Sequence, residues 1–190
     1  MHNLLFMTFS SRSEKKDDSD LSLSNRIEKF GACEIYLWKE MVLREESLFP
    51  QIYALMYSDQ PKIAWHAAWV IDHVSEADPA RLEPYIPEMI DRLPILKSSS
   101  LRRHYTRMIN RHEIPENQLG MLIDVLYDLL SPSEAIAVRA NALEILYKIA
   151  RKEPDLQKEL ISVIESILEE EPTPGMISKG KKIIRSLKSQ

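Results

Sequence analysis

Residues 62–74, KIAWHAAWVIDHV, gather two tryptophans, two histidines and an aspartate on a short helical stretch. Indole rings stack on planar groups, a carboxylate pairs with arginine or steadies a developing cation, and imidazoles carry protons or hold metals. The metal reading fails on spacing. His66, His73, His104 and His112 have no supporting set of carboxylates or cysteines, so no metal is assigned. The single cysteine, Cys33, excludes an internal disulfide and argues against a cysteine-based zinc site. Four scattered glycines make no phosphate loop, and no nucleophile elbow, HExxH or paired-cysteine motif appears. We expect no cofactor and lean away from an enzyme. KSSS at 97–100 opens a helix, and an N-cap explains it more simply than a phosphate site does.

The elements that position these residues are helices. The 190 residues suffice for one sizeable domain, and 44% hydrophobic with 28% charged residues is ordinary for a soluble globular chain. No apolar run is long enough to span a bilayer, so no membrane partner is expected. MHNLLFMTF has neither the basic start nor the cleavage site of a signal peptide, which makes cytoplasmic the default location. Serine-rich, polar residues 10–25 lack hydrophobic period, and residues 1–25 are expected to form a disordered leader. Pro61, Pro84, Pro115, Pro132 and Pro154 each sit where a first helical turn is expected, and Ser131 with Glu134 fits a capping box. No sustained alternation suggests a strand.

The apolar pattern repeats. Val138, Ala142, Ile145, Leu146 and Ile149 recur at the same offsets from Ile63, Leu101 and Met176, 37–38 residues apart. A second set, Leu82, Ile86, Met89, Ile90 and Leu93, recurs twice at 37-residue steps. Each unit reads as a helix pair, A then B, that buries its apolar stripe only by stacking on neighbours. A helices are expected near 47–57, 82–94, 116–130 and 155–170, and B helices near 61–76, 99–112, 133–151 and 175–188. Residues 26–44 are helical in pattern but fall out of register, and are expected to cap the stack's N-terminal end.

The period, with Val138, Arg139, Ala142 and Leu143 of AVRANALEILYKIA, resembles the HEAT/armadillo-like superfamily. The resemblance covers roughly residues 46–188. It implies an all-α, HEAT-like right-handed superhelix of about four antiparallel helix pairs, forming one domain over 26–190. It also implies that Arg139 ties repeats together and that the outer face of the B helices lines a concave surface.

With Ile63, Ala67, Val70, Ile71 and Val74 inward, helical rotation sends Trp65, Trp69, Asp72, His73 and Glu76 to the opposite face. Matching positions on later repeats carry Arg103, Arg107 and Arg111, then Tyr147, then Lys182 and Arg185. Fifteen Lys/Arg against four Asp/Glu fall in the B windows 61–76, 97–112, 133–152 and 175–190, while the last three A windows, 80–94, 114–130 and 154–171, carry three against twelve. A chain of net charge −4 is thereby expected to present a basic inner layer. Trp65, Trp69, Asp72, Arg103, Arg107, Arg111, Tyr147, Lys182 and Arg185 are the candidate binding residues. The same arginines could instead pair with acidic neighbours in adjacent repeats, and residues 26–44 could fold over the tryptophans.

The favoured function is a non-catalytic interaction module holding an acidic peptide or protein segment. The alternative is a nucleic-acid-binding repeat protein similar to the helical-repeat DNA alkylation-repair glycosylases. That similarity implies aromatics stacked on a damaged nucleotide and Asp72 steadying the sugar cation. The chain departs from that family in having fewer repeats and in carrying His73, not an aspartate, one turn after Trp69. The sequence leaves the oligomeric state unknown.

Overall fold

Helix-opening residues and buried stripes at helical spacing determine where each element forms. The computed structural model describes residues 22–170 and 173–189; residues 1–21 of the leader expected over 1–25 lie outside them. The helices are α1 (Leu23–Lys29), α2 (Ile35–Arg44), α3 (Leu48–Leu55), α4 (Pro61–Ala77) and α5 (Ile86–Arg92). They continue with α6 (Ser99–Asn110), α7 (Leu119–Asp128), α8 (Ile136–Ala150), α9 (Pro154–Glu170) and α10 (Pro174–Lys188). Short 3-10 turns at Ala32–Glu34, Glu83–Tyr85, Leu93–Ile95 and Glu116–Gln118 trim or join them. No strand occurs among the described residues.

Each of α3, α5, α7 and α9 packs on the helix that follows it, giving four A–B pairs. The B helices α4, α6, α8 and α10 pack side by side, and α2 joins the same layer against α4. The repeated apolar set is the core: of its twenty B positions only Leu101 and Ile184 are half-buried instead of buried. The A set opens toward the C-terminus, where Leu156, Val163 and Ile167 are half-buried.

Three local expectations are corrected. Residues 23–25, assigned to the leader, begin α1, because Ser22 Oγ accepts from Asn25 N (3.4 Å) and Ile27 is buried. The capping box at Ser131 does not form. Ser131 Oγ bonds Ser133, while Glu134 turns to the previous repeat and α8 starts later, after Ala135. Pro61 and Pro154 do open helices, but Pro84 sits in a 3-10 turn, Pro115 precedes one, and Pro132 lies in a turn outside any helix. Gly180 replaces the small or aromatic residue of other repeats for a steric reason. A Cβ there would stand 2.7 Å from Ile164 Cγ2, so α10 approaches α9 too closely for a side chain.

Candidate functional site

Asp72 is the most constrained polar residue of the B layer. It is 1% exposed, and its carboxylate meets His104 Nδ1 at 2.8 Å, Arg111 at 2.7 Å and Arg107 at 3.2 Å. Arg111 also donates to Ser75 Oγ (3.1 Å). This corrects the placement of Asp72 on the outer face: α6 stacks against α4 there and covers it with three donors. Burial pushes the Asp72 carboxyl up, but the hydrogen bonds and charges of His104 and Arg111 outweigh it and hold it below the usual range. Its oxygens face protein donors, and a glycosylase-type role needs an accessible carboxylate at this position.

The same one-period reach recurs down the layer. Asn141 Nδ2 donates to Thr106 Oγ1 (3.1 Å) and Arg103 O (3.3 Å), and Tyr147 Oη lies 2.6 Å from Ser186 Oγ. Lys148 donates to His112 O, Lys148 and Lys152 both approach Glu113, and Lys179 pairs with Glu144. Glu134, its side chain 6% exposed, gathers Ser99 Oγ and Arg102 Nε at 2.6 Å each. These links join residues 32–39 apart, so a B helix meets its successor one repeat on at the same level. Much of the expected basic surface is therefore inter-repeat tie. His112 serves likewise, with Nδ1 2.8 Å from Met108 O and Nε2 3.0 Å from Pro79 O.

Of the candidate residues, Arg107 and Arg111 are engaged by Asp72, and Tyr147 by Ser186, with Arg151 over its ring. Arg103, Lys182 and Arg185 are exposed and have no carboxylate partner among the described residues. Lys182 and Arg185 lie on α10, two helices along from Arg103 on α6.

The tryptophans form a stacked pair, rings 5.8 Å apart and 10° from parallel. Phe30 covers Trp69 from the N-terminal segment (5.7 Å) and also meets His66 (4.5 Å) and Trp38 (5.9 Å). Trp65 remains 37% exposed. Tyr36 reaches over His73 (5.9 Å). Burial pushes the His73 imidazole down, outweighing the charges of Asp72 and Glu76; the Glu76 contact, at 3.8 Å, is too long for a hydrogen bond. His66 Nδ1 lies 2.7 Å from Ile27 O, anchoring the segment. Arg103 lies one turn before Arg107 on α6, the helix that packs beside α4. The sequence offered residues 26–44 as a cover for the tryptophans, and Phe30 supplies it at Trp69; Phe30, Tyr36 and His104 were not singled out individually.

Among the described residues no group of three or more His, Cys, Asp or Glu could hold a metal ion, and no helix is long and apolar enough to cross a membrane. A HEAT repeat domain model matches residues 20–187, nearly the whole chain. The chain belongs to the HEAT repeat family. No curated protein and no solved structure matches it. Family membership makes this HEAT repeat chain a helical-repeat interaction module in the broad sense. It names no partner.

Proposed function

We propose that this HEAT repeat protein is a non-catalytic module that holds an acidic protein segment at the N-terminal end of its B-helix face. The observation that carries the reading is the pairing of a half-open indole shelf with an uncommitted cation. Trp65 is 37% exposed on a ring stack braced by Phe30, and Arg103 on the neighbouring helix has no carboxylate partner among the described residues. Tryptophan and arginine often dominate binding energy, and a shelf held by packing loses little entropy when a ligand arrives. An apolar side chain laid on Trp65 and a carboxylate on Arg103 would satisfy both. Ties engage Arg107, Arg111, Lys148 and Lys179, and the exposed cations Arg103, Lys182 and Arg185 stand on α6 and α10 with α8 between them, an interrupted track for a phosphate backbone that favours a protein partner over nucleic acid.

Selection from a random peptide library on the immobilised chain tests this, with a Trp65→Ala/Arg103→Glu variant as counter-selection. The expected result is enrichment of acidic peptides bearing an apolar anchor on the wild type alone. Equal enrichment on both proteins, or enrichment of basic peptides, overturns it.

A further inference from the structure

The A layer leaves part of its repeated apolar stripe open. Leu82 and Ile86, which lead into α5, are buried, but their counterparts one period on, Leu119 and Ile123 of α7, are only half-buried. Leu156 of α9, another period on from Leu119, is half-buried as well. α7 and α9 both pack on α8, and a groove of about 340 Å³ lies between them. Leu119, Gly120, Ile123 and Leu156 give it an apolar floor. Glu153, Asp155 and Glu159 supply its charged edge.

Nothing within the chain requires glycine at position 120. Its φ is not positive, and a Cβ added there would meet no atom within 4 Å. Gly180 is the opposite case, since α9 leaves no room for a side chain there. Glycine is also the less stable choice in a helix, because it gives up more backbone freedom than alanine does. What the missing side chain provides is an open floor between Leu119 and Ile123, where a group from outside can come close to the backbone of α7.

The edge is acidic and unneutralised. Glu153, Asp155 and Glu159 are exposed, and none has a cationic partner among the described residues. Glu153 and Asp155 complement the N-terminus of α9, whereas Glu159 stands beyond its first turn. An adjoining hollow shares Leu119 and Glu153 and contains Lys148 and Lys152, but both of these approach Glu113.

We propose that this groove docks a basic segment of a partner protein, with an apolar side chain seated over Gly120 and flanking Lys or Arg residues facing Glu153, Asp155 and Glu159. Opposite charge orients the segment along the edge, and the apolar floor holds it. The chemistry is the reverse of that at Trp65 and Arg103, so the two layers take different partners. A second copy of the chain fits less well, because the exposed stripe of its α10, Ser178, Lys181, Lys182 and Arg185, offers cations without an apolar anchor.

The test screens the full-length chain against a display library in which every peptide places one apolar residue between lysines and arginines. A recovered peptide is then followed by fluorescence anisotropy. Its affinity should fall by about tenfold or more both with Gly120→Leu, which fills the floor, and with Glu153→Lys/Glu159→Lys, which reverses the edge. It should be unchanged with Trp65→Ala/Arg103→Glu. Gly120→Leu should melt no lower than the wild type, since leucine favours the helix over glycine and the space is open, so its lost binding is not a folding defect. Failure to recover any peptide overturns the proposal, as does one that binds both groove variants as tightly as the wild type. A peptide lost only with Trp65→Ala/Arg103→Glu belongs to the B layer and also overturns it. So does a dimer, seen by light scattering, that dissociates in Glu153→Lys/Glu159→Lys, which would give the groove to a second copy.

Discussion

The Asp72 carboxylate on α4 is covered by His104, Arg107 and Arg111 of α6, which turn the outer face of α4 there into an interior. Removing the carboxylate would leave three buried or half-buried donors unmatched. Asp72→Ala should therefore cost about 2–4 kcal/mol in urea unfolding, somewhat less than a fully buried pair because Arg107 and Arg111 keep some contact with water. The acid limb follows from the direction of its shift. A carboxyl lowered on folding contributes stability above its unfolded value, about pH 4, that is lost as pH falls through the folded value. His73 works in a separate window. Burial lowers it, so its neutral form contributes stability that is complete above about pH 6.5 and declines as pH falls through the folded value. Melts between pH 7 and pH 5 should show a shallower decline for His73→Gln than for the wild type. An identical slope would show that His73 does not contribute.

At the scale of elements, the repeat was legible because each B helix buries the same five positions, and burial imposes an apolar period directly on the sequence. Residues 26–44 escaped registration for a physical reason. Gly31 and the 3-10 turn at Ala32–Glu34 break the helix, so its apolar positions shift phase although its contacts keep the period. The shortened start of α8 was likewise hidden, since Glu134 has the right spacing for a cap and only tertiary contact diverts it to Ser99 and Arg102. Two substitutions test the packing. Leu146→Ala removes a fully buried side chain and should cost about 2–5 kcal/mol. Gly180→Val forces new methyl groups into Ile164 and Leu168 and should cost about 1–3 kcal/mol, although leaving glycine would by itself favour the helix. A neutral or stabilising Gly180→Val would mean that α9 and α10 separate freely.

For the whole molecule, net charge and windowed charge both mislead unless the ties between repeats are known. The B layer is rich in cations, as the sequence indicates, yet carboxylates one repeat away hold most of those on α6 and α8. Nucleic acid should consequently bind weakly. Fluorescence anisotropy with a short labelled DNA duplex should show little association at low salt, and tight binding with a steep salt dependence would return the layer to phosphate recognition. The cations of α6 thus divide into Arg102, Arg107 and Arg111, which tie the stack together, and Arg103, which is proposed to face a partner beside Trp65. One urea-unfolding series on Arg103→Glu and Arg111→Glu tests that division most directly. Arg103→Glu should leave stability within about 0.5 kcal/mol of wild type, as for an uncommitted surface charge. Arg111→Glu should lose on the order of 3 kcal/mol by setting a carboxylate against buried Asp72. Equal losses in the two variants would make Arg103 part of the scaffold and contradict the proposed site.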